Sequence, residues 1–541
     1  AVTLTEVEDI YRPFRPKRKT RASVAIAKGL QPLADFILKQ ANPNLEEEAK
    51  KYIDAEKEVN TVEDAINGAK DIVAETISDN ANLRKILREK LTKFGEIKTK
   101  LNPKKADAEN AFTYEMYANY TSKISQTPSH RILAINRGEK EDILKVELCI
   151  SEEEALKEIY KMFILKNSCF EDLLKEVSAD SYNRLIFSSI EREVRNELSN
   201  NANEQAIKMF EVNLKPLLMQ PPLKGKVILG LDPAYRTGCK IAVINELGSV
   251  LDTTVIYPTP PQNKIEEAEE RLKLLIDKHN VNVISIGNGT ATKESEIFVA
   301  NLIKKLNHKV EYAVVNEAGA SVYSASKLGA QEFPDFDVAL RSAVSIARRL
   351  QDPLAELIKI DVKSIGVGQY QHDMPQARLT QVLDGVVETC VNSVGVDVNT
   401  ASPSLLSHVA GLNSSIAKNI EKYRHDNGEF KTREQLKKVP KLGDKAFEQC
   451  AGFLRVTNGT NILDNPEAYD ATMRLLKYFN LSVEDIKAEN LVLLPKMIEK
   501  EGIEKVANSI NIGVPTLNDI VNELIKPGRD VRDELPKPVL K

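Results

Sequence analysis

Two glycine-containing turns, VAGLN (409–413) and VPKLG (439–443), stand 30 residues apart. The apolar residues around them repeat at the same offset, so each turn is predicted to join two helices. Leu406, Val409, Leu412, Ile416 and Ile420 match Leu436, Val439, Leu442, Ala446 and Cys450. Such a turn exposes successive backbone N–H groups at the positive end of its second helix. The predicted chemistry is the binding of phosphate groups without reading of bases, which high salt weakens.

The local charge supports phosphate binding by these turns. Residues 407–456 hold ten Lys and Arg against six Asp and Glu, whereas the whole chain has 75 against 79 and a net charge of −4. The candidate nucleic-acid contacts here are Gly411, Asn413, Lys418, Lys441, Gly443 and Lys445. The alternative is a plain antiparallel helical hairpin in which the glycines only cap helices. Two copies and a local positive charge favour the nucleic-acid interpretation.

A second basic cluster, RPFRPKRKTR (12–21), has six Lys and Arg with Phe14 between them. This composition suits phosphate contacts combined with base stacking. A basic loop that pairs with acidic helices is an equally well supported alternative. The candidate nucleic-acid contacts in this cluster are Arg15, Lys17, Arg18, Lys19 and Arg21.

Three carboxylates could bind metal ions. Asp232 directly follows a predicted strand, Glu317 follows another, and Asp337 precedes a predicted helix. A two-metal site needs three or four converging carboxylates around ions roughly 3.5–4 Å apart. Helix capping and surface exposure explain the same three residues as well. The sequence has no GxxxxGK[ST] loop, no CxxC pair and no HxxxH spacing, so we predict neither a cofactor nor a bound metal.

Residues 1–223 show mainly helical spacing of apolar residues, as in NLRKILREKLTKFGEI (82–97), with no sustained strand alternation. The exception is 130–150, where an Asn-Arg-Gly sequence predicts a turn within a hairpin or loop. The prolines at 221–222 end the helical pattern. We therefore predict a helical N-terminal region that ends near this point.

The rest of the chain changes character. Residues 224–362 alternate β-branched apolar runs with helical runs, which predicts an α/β domain. The remaining segments are predicted as a connecting helical segment (363–394), the tandem hairpins (395–457), and a C-terminal helical segment that ends in an extended linker (458–541). A chain of 541 residues exceeds the roughly 250–300 residues of a single core, so the protein is predicted to be multidomain and mainly α.

Composition excludes several classes of protein. With 42% hydrophobic and 28% charged residues, the chain is predicted to fold rather than to be disordered. No stretch reaches the roughly 18 apolar residues of a membrane helix, and the N-terminus does not resemble a signal sequence. The five cysteines are widely spaced. We expect a cytoplasmic protein with no membrane partner.

Several long stretches of the chain resemble the Tex family of bacterial transcription accessory proteins, in the family's order. They are YRPFRPKRKTRA (11–22), PSHRILAINRGEKE (128–141), GLDPAYRTGCKIAVIN (230–245), VVNEAGASVYSAS (314–326), SIGVGQYQHDM (364–374) and the hairpin region from 398 to 443. The resemblance implies an RNase H-like domain of the YqgF and RuvC resolvase type at 224–360, and a tandem helix–hairpin–helix at 395–456. It also implies RNA or DNA as partner. A further possibility is that the α/β domain is a protein-docking platform, with RNA polymerase or the ribosome as partner. Compared with the family, the chain resembles a core without the C-terminal OB-fold RNA-binding domain.

The resemblance also bears on catalysis. Asp232 matches the first carboxylate position of the resolvase fold, and Glu317 and Asp337 lie near later ones. Asn316 stands where related YqgF nucleases carry Asp, and GNGTATKE (287–294) has no carboxylate directly at the end of its strand. We therefore predict a degenerate domain and a nucleic-acid-binding scaffold without catalytic turnover. The alternative is a Mg-dependent RuvC-like nuclease that uses the three carboxylates.

Overall fold

The computed structural model describes residues 3–16, 19–105, 108–366, 368–456, 466–482, 485, 490–525 and 530–541. The chain divides into two compact units, Ala1–Ala206 and Ile207–Lys541. Among the helices in these ranges, none has the length and apolarity needed to cross a membrane.

The first unit is mainly helical. Its helices are α1 (Leu4–Tyr11), α2 (Arg21–Ala27), α3 (Gln31–Lys39), α4 (Leu45–Lys50), α5 (Val62–Ser78), α6 (Ala81–Phe94), α7 (Ser129–Lys140), α8 (Glu152–Phe163), α9 (Glu171–Ser181) and the first part of α10 (Phe187–Leu218), which continues into the second unit. Helix α5 shows why these segments are helical. Thr61 and Asp64 form a capping box at its start, and Ala65, Ala69 and Ile72 recur on its buried face.

A three-stranded antiparallel sheet, which the helical prediction missed, also belongs to this unit. Its strands β1 (Glu96–Leu101), β2 (Asn119–Lys123) and β3 (Leu144–Cys149) lie in the order β2-β1-β3. The turn predicted at Asn-Arg-Gly is wrong, because α7 runs through it. A Cβ on Gly138 would lie 2.6 Å from Leu144 Cδ1, so the glycine allows β3 to pack closely against the helix.

The second unit contains the predicted α/β domain. Its strands are β4 (Ile228–Asp232), β5 (Cys239–Ile244), β6 (Val250–Ile256), β7 (Val283–Gly287) and β8 (Glu311–Val315), in the order β6-β5-β4-β7-β8. Strands β4, β5 and β6 are antiparallel neighbours, whereas β7 and β8 run parallel to β4. The carboxyl ends of β4, β7 and β8 therefore meet at one edge of the sheet.

Helices cover both faces of this sheet. They are α11 (Ile265–His279), α12 (Thr292–Ile303), α13 (Ala320–Ala325), α14 (Lys327–Glu332), α15 (Val338–Gln351) and α16 (Pro353–Leu357). One apolar core joins the sheet to α11 and α12, and a second joins it to α15. The strands are buried on both faces, which explains their nearly continuous apolar sequences.

The tandem hairpins follow α17 (Gln376–Val394). The first consists of α18 (Pro403–Leu406) and α19 (Ser414–Asn427), and the second of a 3₁₀ helix (Arg433–Lys438) and α20 (Asp444–Cys450). Two short parallel strands, β9 (Val396–Asp397) and β10 (Leu454–Arg455), close the pair. The predicted helix, turn and helix of each repeat are confirmed.

Further helices follow the hairpins. They are α21 (Pro466–Tyr478) and the helices Leu494–Glu501, Ile503–Ser509 and Val514–Ile525, which share one apolar core. Residues 530–541, predicted as a linker, pack against the α/β domain. Arg532 is only 3% exposed, and the backbone of Lys541 exchanges two hydrogen bonds, of 2.9 and 3.0 Å, with that of Tyr312.

Candidate nucleic-acid interface

The two hairpin turns share a backbone geometry but use glycine differently. The 30-residue offset pairs Gly411 with Lys441, and both have a left-handed backbone, with φ of +81° and +68°. It also pairs Asn413 with Gly443, and these residues are the N-caps of α19 and α20. Asn413 Oδ1 accepts a 2.9 Å hydrogen bond from the backbone N–H of Ile416. Glycine thus supplies the left-handed residue in one turn and the open cap in the other.

The first residues of α19 and α20 expose backbone donors. Ser414, Ser415, Asp444 and Lys445 are exposed, and no hydrogen bond within the described parts of the chain engages their backbone N–H groups. A Cβ built on Gly443 would meet no atom within 4 Å, so an anion can approach this cap closely. Free N–H groups and the helix dipole of α19 together favour a bound anion.

Each turn packs against the second helix of the other hairpin. Asn419 of α19 donates a 2.8 Å hydrogen bond to the carbonyl oxygen of Pro440. On the other side, a Cβ on Gly411 would lie 2.7 Å from Gln449 Cβ in α20. Asn419 and Gln449 are themselves 30 residues apart, so the two hairpins are related by an approximate twofold arrangement. This packing brings the two turns together at one surface.

Ammonium groups lie at this surface. Lys441 donates a 3.1 Å hydrogen bond from Nζ to Ser415 Oγ, at the start of α19. Lys418 and Lys445 are exposed on the two second helices. The structure therefore places the predicted hairpin residues around the two turns, with Lys441 shared between them.

The residues of the N-terminal basic cluster differ in their exposure. Arg15, Lys19 and Arg21 are exposed, whereas Lys17 and Arg18 lie outside the described residues. Arg12 is partly buried, and its Nη2 lies 3.7 Å from Glu193 Oε1. Burial lowers the pKa of the Arg12 guanidinium, and the neighbouring Arg84 lowers it further. Arg12 of this cluster therefore pairs with an acidic residue of α10, as the alternative interpretation expected.

Two of the three candidate carboxylates meet at the edge of the α/β sheet. Burial raises the pKa of Asp232 above its ordinary value, against a hydrogen bond from Ser342 and the charge of Lys240. Burial also raises the pKa of Glu317, and the charge of Asp232 raises it further. A cation or a proton at this edge would reduce the free-energy cost of burying the two carboxylates and the repulsion between them.

Two glycines, one at the end of β7 and one just after it, leave space for the Glu317 side chain. A Cβ on either Gly287 or Gly289 would collide with the Glu317 carboxylate. The backbone N–H of Gly289 donates a hydrogen bond to this carboxylate, while Glu317 Oε2 is buried with no partner among the described atoms. Sequence reasoning missed these glycines, although a Gly-x-Gly at the end of a buried strand was a usable signal.

Asp337 has a different role. It is exposed and caps α15, because Oδ1 accepts a 2.7 Å hydrogen bond from the backbone N–H of Leu340. The residue of α15 that reaches Asp232 is Ser342, roughly 7.5 Å further along the helix. Across the described ranges, no group of three or more His, Cys, Asp or Glu side chains could hold a metal ion. The structure thus brings Asp232 and Glu317 together and employs Asp337 as a cap.

Comparisons with known proteins agree with this architecture. Family models match the Tex central region at 40–210, the Tex YqgF-like domain at 226–351, a helix-hairpin-helix motif at 391–455 and a helix-hairpin-helix domain at 461–532. Protein tex of Bordetella pertussis is 43% identical over 558 residues, which cover 99% of this chain and 69% of that protein. The chain belongs to the Tex family.

Other relatives of this Tex-family chain carry different names. YdcI of Bacillus subtilis, an uncharacterized protein, is 52% identical over 548 residues, covering 100% of this chain and 76% of that protein. The S1 RNA-binding domain-containing protein 1 of Homo sapiens is 35% identical over 612 residues, covering 100% of this chain and 61% of that protein. The predicted family, the RNase H-like α/β domain and the tandem hairpins are confirmed.

The match at 461–532 shows a further hairpin region that sequence reasoning described only as helical. Asn480 and Asn511, 31 residues apart, both have a left-handed backbone, with φ of +52° and +57°. Asn480 is followed by an apolar residue and Ser482, and Asn511 is followed by an apolar residue and Gly513. The Asp485 carboxylate accepts a 2.7 Å hydrogen bond from the Ser482 N–H, so an internal anion already occupies that turn.

Proposed function

We propose that this Tex-family chain is a nucleic-acid-binding transcription accessory scaffold that grips RNA or DNA phosphates through its two hairpin turns. The observation that carries the proposal is the Lys441 ammonium beside the free N–H groups at the start of α19. An ammonium and the positive end of a helix repel each other, and a phosphate placed between them removes that cost. Backbone contacts of this kind give binding that is independent of sequence.

The names of relatives support the same function. One relative is called transcriptional accessory protein Tex, in Neisseria gonorrhoeae, and the human relative is named for an S1 RNA-binding domain. We extend the proposal to a cytoplasmic protein that acts beside RNA polymerase or the ribosome.

We propose that the α/β domain is a non-catalytic part of the scaffold. Two-metal hydrolysis needs more carboxylates than the pair Asp232 and Glu317. Helix α15 contains no Asp or Glu at all, and Ser342 is the residue of α15 that reaches Asp232. The buried Arg349 donates to the carbonyl oxygens of Asn316 and Ala318, and its charge lowers the pKa of Glu317. A cation of the protein itself therefore already faces the carboxylate edge.

Titration of the full chain with labelled single-stranded RNA and duplex DNA at several salt concentrations tests the hairpin site. The Lys441→Glu, Lys445→Glu variant should bind more weakly. The slope of log K against log salt is negative, and its magnitude should be smaller by about 2. The matched control is Lys157→Glu, Lys175→Glu, two exposed lysines on α8 and α9. Unchanged affinity in the hairpin variant would reject this site.

A second candidate function, Mg-dependent cleavage, is favoured by the convergence of Asp232 and Glu317. Incubation of the pure chain with branched and linear substrates in Mg²⁺ or Mn²⁺ tests it. Cleavage that disappears in Asp232→Asn would establish a nuclease. Cleavage that survives this substitution would come from a contaminant.

A further inference from the structure

The sheet of the first unit has one outward face that is almost entirely polar. In β1, Ile97 and Thr99 are buried at 1% exposure, while the alternate residues face outward. The register of β2 and β3 places their outward residues on the same side. The charged residues of this surface, which we call the lysine face, are Glu96, Lys98, Lys100, Lys123, Lys145 and Glu147.

The arrangement of charges on the lysine face is costly to the fold. Lys100 lies directly opposite Lys145 in the antiparallel register, and like charges at directly opposite positions destabilise a sheet. Lys104 and Lys105 follow β1 at the same end of the sheet and are exposed. Four lysines thus gather where β1 ends and β3 begins.

The two glutamates of the face do not neutralise these lysines effectively. Lys98 Nζ lies 3.8 Å from Glu96 Oε2, and Lys100 Nζ lies 4.0 Å from Glu147 Oε1. All four side chains are at least 38% exposed. Exposed ion pairs at such distances contribute little, so the ammonium groups stay available to a ligand.

The chemistry of the lysine face distinguishes between partners. Protein interfaces depend on a core of apolar and aromatic side chains. Apart from Cys149, every outward side chain of this sheet is charged, an amide or a hydroxyl. Binding of a phosphate backbone requires only cations and hydrogen-bond donors.

We propose that the lysine face is a second binding surface for the sugar–phosphate backbone of RNA or DNA. The proposal rests on the nucleic-acid binding proposed above, but it concerns residues of the other unit. Phosphate bound at Lys100 and Lys145 offsets the repulsion between these two lysines. The pair therefore destabilises the free sheet but favours the bound state.

The variant Lys145→Glu tests the proposal, because it changes stability and affinity in opposite directions. It replaces the Lys100–Lys145 pair with an opposite-charge pair, so the thermal midpoint of the full chain should rise. It also removes one phosphate contact and adds a repulsive charge, so affinity for labelled single-stranded RNA and duplex DNA should fall. The magnitude of the negative slope of log K against log salt should be smaller by about 1.

Lys157→Glu on α8 serves as the control, and hairpin variants are titrated in parallel. A higher midpoint with unchanged affinity would overturn the proposal while leaving the hairpin site intact. Loss of affinity in Lys145→Glu but not in the hairpin variant would support the lysine face and reject the hairpin site. Tighter binding of the wild-type chain to anionic phospholipid vesicles than to nucleic acid, lost in Lys145→Glu, would also overturn it.

Discussion

Lys441 of the second hairpin turn lies at the start of the helix that follows the first turn, with its Nζ 3.1 Å from Ser415 Oγ. The same lysine has a left-handed backbone, which is unfavourable for any residue with a Cβ. Its counterpart in the first turn is Gly411, for which that conformation has no steric cost. The second turn therefore retains a charged side chain at a position where glycine would suit the backbone.

The stability of the chain should depend differently on glycine at the two positions. Lys441→Gly relieves the left-handed strain while it adds freedom to the unfolded chain, so the free energy of unfolding should change by less than about 1 kcal/mol. Nucleic-acid affinity should nevertheless fall, because the ammonium at the start of α19 is lost. Urea unfolding and binding titrations of the same variant measure the two effects.

Gly411→Ala is the matched change in the first turn. Its Cβ would lie 2.7 Å from Gln449 Cβ and 3.0 Å from the carbonyl oxygen of Ala446, in a left-handed conformation. We expect a loss of roughly 1–3 kcal/mol in the free energy of unfolding. Equal stability of the two variants would contradict the different roles of glycine in the two turns.

Gly289 and Glu317 should be strongly coupled. The methyl group of Gly289→Ala must displace the Glu317 carboxylate from its place after β7. Glu317→Ala empties that place, so Gly289→Ala should destabilise the wild-type chain more than it destabilises the Glu317→Ala chain. A double-mutant cycle by urea unfolding should give a coupling energy of about 1 kcal/mol or more. Additive effects would show that the glycine is not needed to accommodate the carboxylate.

Glu317→Gln should show a defined pH dependence. The pKa of Glu317 is raised from its ordinary value of 4.5, so the folded chain binds this proton more tightly than the unfolded chain. Its contribution to stability is present below pH 4.5 and is lost as the pH rises through the raised pKa. Glutamine keeps the neutral form, so the variant should gain stability relative to wild type between pH 4 and pH 7. A difference that shrinks over this range would contradict the raised pKa.

The extent of sequence-based prediction differed between the two units for a physical reason. Strands such as β4 and β7 are buried on both faces, and their uninterrupted apolar runs predict them directly. Strand β1 is exposed on one face and carries three charged residues in six. The helical pattern predicted for 82–97 therefore included its first two residues, Glu96 and Ile97. Pairing with β2 and β3 decides its structure, and a local pattern does not record such pairing.

The candidate site shows the same limit. The 30-residue repeat predicted both hairpins, because it depends on core residues that recur along the chain. It did not predict that Lys441 reaches Ser415, or that Asp337 caps α15 while Glu317 meets Asp232. These relationships arise from packing between elements distant in sequence, and each concerns side chains whose types allow several roles.

The segment 530–541 should depend on one buried carboxylate. Asp530 is 5% exposed; burial alone would raise its pKa, but Arg532 and Lys224 hold the pKa at about 2. Arg532 is also buried and pairs with Asp352 at 2.7 Å. Asp530→Asn removes the carboxylate that shares Arg532 with Asp352, which should weaken the attachment of the segment by roughly 1–3 kcal/mol.

Hydrogen exchange at the Tyr312 amide, which donates to the carbonyl oxygen of Lys541, reports this attachment. Exchange should be faster in Asp530→Asn than in wild type, whereas the exposed neighbour Asp533, changed to Asn, should leave it unaltered. Because the pKa of Asp530 is depressed, its contribution is present above pH 3.8 and is lost as the pH falls through about 2. Protection in the wild-type chain should therefore decline over that acidic range, and equal protection in Asp530→Asn at neutral pH would show that the carboxylate does not anchor the segment.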